Sequence, residues 1–342
     1  MQLPGYTSGV SLAPYTTFKV GGAAEYFAEA HSEAELASLI ETARAAEQPV
    51  TILGGGSNVL VADAGVAGCV IKNSIERWDE QVDDTHVVLT VGAGNVFDDV
   101  VARTVERGWW GMENLSHIPG SVGATPIQNV GAYGVEVADC IHTVRAYHPG
   151  TRSYREFTPA ECAFAYRDSF FKRESGRAWV VVAVSFALST EAQPNVTYRD
   201  VALRFANTTT TQADMRQAII DIRSQKFPDW HTVGTAGSFF KNPIITQAKY
   251  ERLRGSYPEL PGYPTGDGRV KVPLGWILEH VCQLRGTSKG GVGSYAGQAL
   301  VVVQTGGATA RAIHAFADDV AKQVQAATGI AIEWEVTPLG QE

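Results

Sequence analysis

Residues 118–136 constrain this chain more than any other stretch. Ile-Pro-Gly-Ser-Val-Gly-Ala-Thr-Pro-Ile-Gln-Asn-Val-Gly-Ala-Tyr-Gly-Val-Glu holds four glycines, two prolines and no charge before Glu136. Glycine reaches positive φ and lets a backbone approach a bound group closely, while the amides of Gln128 and Asn129 can offer donors and acceptors to a flat heterocycle. A surface linker is seldom so poor in charge. The run reads either as the lining of a ligand site or as a long buried connection, because Gly/Pro runs punctuate loops of every kind.

A chain of 342 residues, 44% of them apolar, can build two or three domains with real cores. Its formal charge of −8, from 28 basic and 36 acidic side chains, is spread without runs. That argues against a nucleic-acid partner and for a soluble cytoplasmic protein, in which an anionic ligand requires locally placed cations. Cys69, Cys140, Cys162 and Cys282 form no CxxC pair and the eight histidines include no HExxH, so reduced thiols and no metal site are expected. The start, Met-Gln-Leu-Pro-Gly-Tyr, does not read as a signal peptide. The longest apolar run, 179–188, is ten residues broken by Ser185, too short for the roughly 20 that span a bilayer.

Along the chain, Ser32 with Glu35 forms a capping-box pattern before Leu36, Leu39, Ile40 and Ala43, which predicts a helix from near Ser32. Residues 50–53 read as a buried strand, followed by Gly54, Gly55, Gly56, Ser57 and Asn58 and then a second apolar run at 59–61. Three adjacent glycines suit either an anion-binding nest or a tight turn between strands. Neither GxGxxG nor GxxxxGK[ST] occurs, which disfavours Rossmann and Walker folds. Val87, Leu89 and Val91 alternate as a strand, and Asn95 with Asp98 is expected to open a helix with Phe97, Val100, Val101, Thr104 and Val105 on its core face, closed by Gly108. Residues 141–147, 154–157 and 179–188 read as strands of one sheet. Between them, 164–172 sets Arg167 among aromatics, where a cation needs a partner.

Residues 196–200 read as loop. Thr211 with Asp214 starts a helix carrying Met215, Ile219 and Ile222 that stops at 226–228, a domain boundary. A second glycine-flanked polar cluster covers 234–243, Pro273 opens a helix with Leu274, Ile277, Leu278 and Val281, 299–303 is a strand, and Ile313, Ala317, Val320 and Val324 line a helix closed by Gly329. Residues 330–336 read as a last strand with Glu333 and Glu335 on one face, which is ordinarily simply wet.

Taken together, the glycine loop 54–58, the stretch from Ile118 through Gly134, Tyr166-Arg167-Asp168-Ser169, the run 237–243 and Glu333-x-Glu335 resemble the UDP-N-acetylenolpyruvoylglucosamine reductase family, in its order and over nearly the whole chain. The resemblance implies an α+β flavoprotein of the vanillyl-alcohol-oxidase type, in two FAD-binding portions (1–75 and 76–227), a substrate-binding domain (228–337) and a C-terminal tail (338–342). It implies noncovalent FAD on Leu53, Gly54, Gly55, Gly56, Ser57 and Asn58, on Ile118, Pro119, Gly120, Ser121, Gly123 and Ala124, and on Gln128, Asn129, Gly131, Ala132 and Tyr133. Related oxidases that attach flavin covalently carry a histidine in the first glycine loop, where this chain has Ser57.

The reaction so implied begins with hydride from NADPH to FAD. UDP-N-acetylglucosamine enolpyruvate then receives hydride at C3 and a proton at C2, giving the peptidoglycan precursor UDP-N-acetylmuramate. By the same resemblance Arg167 stabilises the aci-carboxylate dianion with its forked cation, Ser238 donates the C2 proton, and Glu335 lies beside the carboxylate. Ser238 alone would read as a turn or cap serine. Tyr166, Tyr198, Lys226, Asn242, Lys271 and Gln298 fall where the family holds substrate, and the Tyr198 loop suits the subgroup, type I, whose loop closes over it. Thr337 stands where some relatives have a basic residue. A cytoplasmic monomer is implied. Two further readings are another flavin oxidase or dehydrogenase of this fold acting on a hydroxy acid, which leaves Ser238, Lys226 and Asn242 without a role, and a flavin-free sugar-nucleotide binding module.

Overall fold

The computed structural model describes residues 2–205 and 210–341, which divide into two units. The first runs to Val10 and takes in Ala24–Gly56 and Ala67–Ser224; the second takes in Ser11–Ala23, Ser57–Val66 and the described chain from Gln225 onward. The segments Ser11–Ala23 and Ser57–Val66 thus group with the later chain and not with the first FAD-binding portion to which the sequence reading assigned them.

Two larger sheets organise the first unit. In the first, the parallel pair Val50–Leu53 and Val66–Asn73 carries the helix Glu33–Ala45, whose Leu36, Ile40 and Ala43 bury against Cys69 and Ile71. Ser32 caps that helix by accepting from the Glu35 N–H, and the Glu35 carboxylate accepts in return from the His31 N–H. The second sheet is antiparallel, in the order Ser153–Phe157, Ile141–His148, Val180–Ser189, His86–Gly92, Trp78–Val82. Val87, Leu89 and Val91 face the helix Phe97–Glu106 through its Phe97, Val100 and Val101. The strands expected from 141–147, 154–157 and 179–188 therefore do share one sheet.

The second unit packs the helix Ala310–Thr328 on the sheet ordered Gly234–Ser238, Val301–Gln304, Val292–Ser294, Ser288–Lys289. Gly329, at φ 65°, closes that helix, as glycine does most easily in the left-handed region. The short strand Val59–Val61 pairs in parallel with Thr337–Leu339. Among the described residues no helix is long and apolar enough to cross a membrane.

Four local expectations are corrected. Asn95 does not cap its helix: its side-chain oxygen is taken up by the Arg77 N–H, and Val96 is the cap without a side-chain bond, while the Phe97 N–H donates to the Gly120 carbonyl. Residues 196–200 are not all loop, since Arg199 begins the helix Arg199–Arg204 with Tyr198 as its cap. The helix after Pro273 is α-helical only over Leu274–Trp276 and widens to a π turn at Ile277–Val281. Residues 330–336 alternate in burial at their ends but form no regular strand. They pair through one bridge, Phe240 to Trp334, and the regular strand lies beyond at Thr337–Leu339, inside what the sequence suggested was a tail.

Asp98 ties the first unit together. Arg216 donates to both its oxygens at 2.6 and 3.0 Å and the His117 N–H donates at 2.5 Å. Burial pushes the carboxyl up, but these bonds pull it further down, below its ordinary value. Asp98→Asn should lower the unfolding free energy by roughly 2–3 kcal/mol at neutral pH, the weight of charge-assisted bonds lost in a half-buried pair. A depressed folded pKa stabilises above the unfolded value of about 4 and ceases to as pH falls through the folded one. Urea unfolding of wild type and variant should therefore converge toward acid; a gap unchanged at acid pH would show that the carboxylate is not its source.

Candidate active site

In the first unit the two glycine-rich stretches meet. The Gly55 N–H donates to Ser121 Oγ at 3.1 Å, and a Cβ on Gly54 would fall 2.5 Å from that same oxygen. On Gly55 it would fall 2.7 Å from Gly120 Cα, and on Gly123 2.6 Å from Ala93 Cβ. Only glycine permits these approaches. Leu53, at 2% exposure, anchors the incoming strand, and residues 120–123 are stitched to 93–97 by Phe97 N–H to Gly120 O, Val122 N–H to Asn95 O and Gly123 N–H to Ala93 O. Ile118 and Pro119 are half-buried and Ala124 is exposed at this rim. The division between the units falls within the first loop: Ser57 and Asn58 belong to the second unit, where Asn58 donates to the Glu335 carbonyl at 3.0 Å and accepts from the Thr337 N–H.

Downstream, Gly131–Ala132 and Val135–Glu136 form a hairpin around Tyr133 and Gly134, both at positive φ (51° and 84°), as a two-residue turn of the primed type demands. Tyr198, 40% exposed, sets its ring edge-on to Tyr133 at 5.2 Å. Asn114 donates to the carbonyls of both Tyr133 and Asn195, and a Cβ on Gly134 would sit 3.0 Å from Thr197 Oγ1, so the segment leading into Tyr198 is seated on this hairpin. Gln128 is half-buried and its Oε1 accepts from Lys172 Nζ at 3.4 Å. Asn129 departs from the expectation of an amide turned to a ligand: fully buried, it donates to Glu136 Oε2 and the Ala165 carbonyl and accepts from the Ala138 N–H.

Arg167 occupies the second corner of a tight turn closed by reciprocal bonds between Ala165 and Asp168, with Tyr166 at the first corner. Its φ of 53° is one that a non-glycine residue takes only at a cost. The guanidinium donates to the Gly131 carbonyl at 3.1 Å and the Asn129 carbonyl at 3.5 Å, and lies 5.4 Å from the Tyr166 ring centroid. Carbonyl dipoles orient the fork. The aromatics of 164–172 also serve the core, where Phe171 packs on Phe157.

In the second unit Ser238 ends the strand Gly234–Ser238 just after a bulge between Thr235 and Ser238, with Gly237 at φ 73°. Thr235 Oγ1 fixes the bulge, donating to the Val302 carbonyl and accepting from the Gly237 N–H. Such bulges re-aim the side chain that follows. Phe239, buried, accepts at its carbonyl from the Glu335 N–H at 2.8 Å, so Ser238, Glu335 and Asn58 are backbone neighbours. The two carboxylates of 333–335 part company: Glu333 is exposed and pairs with Lys241 at 3.0 Å, whereas Glu335 is half-buried.

Four expected substrate residues gather around the helix start at Leu274. Asn242 Oδ1 accepts from the Leu274 N–H at 2.9 Å, and a Cβ on Gly275 would lie 2.8 Å from Gln298 Oε1. Lys271 ends the strand two residues before Pro273, and the Gln225 carbonyl beside Lys226 abuts Gly297 beside Gln298. Arg167, Tyr166 and Tyr198 belong to the first unit; Ser238, Glu335, Lys226, Asn242, Lys271 and Gln298 belong to the second.

Three polar residues escaped the sequence reading. Asn114 is completely buried. Glu113, 2% exposed, has its carboxyl pushed up by burial against donors that include the Gly111 N–H. Arg223 is buried with Nε on the His117 carbonyl at 2.9 Å, and burial draws its pKa below the ordinary arginine value. A signal for the last existed: Arg223 continues the four-residue spacing of Met215 and Ile219 on the buried face of its helix.

Residues 24–151 match the profile described as FAD binding domain, and 228–339 match that of the UDP-N-acetylenolpyruvoylglucosamine reductase C-terminal domain. A UDP-N-acetylenolpyruvoylglucosamine reductase of Porphyromonas gingivalis is 38% identical over 328 residues, covering 95% of this chain and 96% of the relative. One from Ralstonia nicotianae is 38% identical over 330 residues with the same coverage. The crystal structure of the reductase from Thermus caldophilus superposes with a TM-score of 0.69 at 24% identity, over 98% of this chain and 99% of that one, which establishes the fold. The first unit thus carries the FAD-binding fold expected of the vanillyl-alcohol-oxidase type, and the chain belongs to the UDP-N-acetylenolpyruvoylglucosamine reductases, FAD-dependent, NADPH-using oxidoreductases of peptidoglycan precursor synthesis.

Proposed function

We propose that this chain reduces UDP-N-acetylglucosamine enolpyruvate to UDP-N-acetylmuramate with Ser238 as the C2 proton donor, Arg167 as the carboxylate clamp and Glu335 as its partner. The observation that carries the assignment is the bond from the Glu335 N–H to the Phe239 carbonyl, which makes Glu335 the backbone partner of the residue after Ser238. Bound FAD supplies hydride relay from NADPH to C3. Its fit rests on the close approach of Gly54 and Gly55 to Gly120 and Ser121, where a Cβ on Gly55 would strike the Gly120 backbone. Leu53, Ser57, Asn58, Ile118, Pro119, Ala124, Gln128, Gly131, Ala132 and Tyr133 complete the proposed noncovalent site.

Hydride addition at C3 drives an electron pair toward the substrate carboxylate. Arg167, held by two carbonyls in a turn that fixes its direction, binds the resulting dianion without having to reorganise. The dianion is then a base strong enough to take the Ser238 proton at C2, and the bulge stiffened by Thr235 holds that hydroxyl in place. Glu335 assists Arg167 at the carboxylate. Lys226 and Lys271 supply the cations that an acidic protein needs for a diphosphate, with Asn242 and Gln298 beside them, while Tyr166 and Tyr198 complete substrate binding. The seating of Tyr198 on the Tyr133–Gly134 hairpin supports membership of the type I subgroup, and the family resemblance supports a cytoplasmic monomer.

An absorption spectrum taken through one anaerobic cycle tests the reading. NADPH should bleach the flavin and the enolpyruvyl sugar nucleotide should restore it; a flavin reoxidised only by oxygen would sink the proposal. Ser238→Ala should keep bleaching by NADPH while slowing recovery on the order of 10²- to 10⁴-fold, the weight of one proton donor, and loss of both steps would indicate a misfolded variant. Arg167→Lys should lower turnover because a point charge cannot replace the fork, and wild-type turnover would remove Arg167 from the mechanism. Gly55→Val should yield protein depleted in flavin, measured as the ratio of visible to ultraviolet absorbance; a full complement would mean the close approach is not needed for the cofactor.

A further inference from the structure

We propose that Asn129 is a positioning residue for Arg167 and not a ligand of the flavin, an inference that rests on the role of Arg167 given above. Asn129 holds the arginine turn at both ends. Its Nδ2 donates to the carbonyl of Ala165, the residue that opens the turn, at 3.1 Å, and its own carbonyl accepts from the guanidinium at the far corner at 3.5 Å. The second Nδ2 hydrogen goes to Glu136 Oε2 at 2.7 Å and Oδ1 accepts from the Ala138 N–H at 3.2 Å. Both amide hydrogens are thus committed inside a side chain of 0% exposure. Donors committed to protein acceptors are not available to a heterocycle.

The backbone explains why asparagine stands here. At φ 45° and ψ 64° the residue is in the left-handed region, which asparagine tolerates better than most residues. Glycine would share that tolerance but lack the two donors. Arg167 is itself in the left-handed region, so its turn lies away from the conformation it would choose and needs outside restraint. Ser169 Oγ on the Ile127 carbonyl and Lys172 Nζ on the Arg167 carbonyl add to that restraint, but neither grips both root and guanidinium. Displacing a charged group by about 1 Å from its productive position can cost on the order of 10²-fold in rate.

Asn129→Gly keeps the backbone conformation and removes the donors. In the holoenzyme it should retain flavin with an unchanged visible spectrum and reduction potential, and be bleached by NADPH within about twofold of wild type. Recovery on adding the enolpyruvyl sugar nucleotide should slow on the order of 10- to 10²-fold, appearing in kcat and not in the KM for NADPH. Glu136→Gln, which weakens the bond that fixes the Asn129 amide, should show a smaller loss confined to the same step and keeps the inference open to test if Asn129→Gly does not fold. Loss of flavin, a shifted potential or equal slowing of both steps would make Asn129 a cofactor ligand, and wild-type recovery in the folded variants would remove it from the mechanism. Arg167→Lys measured alongside separates the two claims: impaired Arg167→Lys with normal Asn129→Gly overturns only the positioning role, whereas normal Arg167→Lys overturns both.

Discussion

Backbone laid against backbone, where Gly55 meets Gly120 and Ser121, is the contact on which the first unit depends. A carbon added at Gly55 would fall 2.7 Å from Gly120 Cα. Such an approach is open only to glycine, and the constraint propagates. Because 120–123 also bonds to 93–97, the loop after Val50–Leu53, the loop before the helix Phe97–Glu106 and the stretch leading to Asn129 form one connected layer of main chain. Main-chain layers carry many N–H groups and little side-chain bulk, the property a flavin dinucleotide site requires.

Two arginines of the first unit are gripped by main-chain carbonyls, Arg167 by Gly131 and Asn129 and Arg223 by His117. Carbonyl dipoles help to fix the direction of a guanidinium. Asp98 with Arg216 shows the opposite use, a half-buried pair that knits helix to loop. Both arrangements leave polar groups buried, and both need backbone geometry that is itself strained or crowded.

Local chemistry was legible where a signal and its response lie within one turn of chain. Ser32 with Glu35 and Thr211 with Asp214 formed the caps their spacing implies, since each pairs groups three residues apart. Asn95 fits the same local rule and does not cap, because the Arg77 N–H, distant in sequence, holds its side-chain oxygen. Alternation at 330–336 was read correctly as apolar and polar positions but not as pairing, for the segment meets its neighbour through a single bridge. Glu333 and Glu335 look equivalent in sequence and differ in burial: Glu333 is exposed and pairs with Lys241, whereas Glu335 is half-buried with its N–H on the Phe239 carbonyl.

The sequence by itself determined the family, the FAD-dependent chemistry and most element positions, because these rest on residue types at short fixed spacings. Tertiary structure decided to which partners each polar group's hydrogen bonds go. Asn129 and Gln128 stand side by side and look alike as amides, yet one is spent on Glu136, Ala165 and Ala138 and the other is half-buried beside Lys172. Hydrogen-bond capacity is finite, and its allocation among partners distant in the chain is not encoded at any one position. The grouping of 57–66 and 11–23 with the later chain follows the same logic: Val59–Val61 pairs in parallel with Thr337–Leu339, and the carbonyls of Thr17 and Phe18 accept from the Thr235 N–H and Gln304 Nε2.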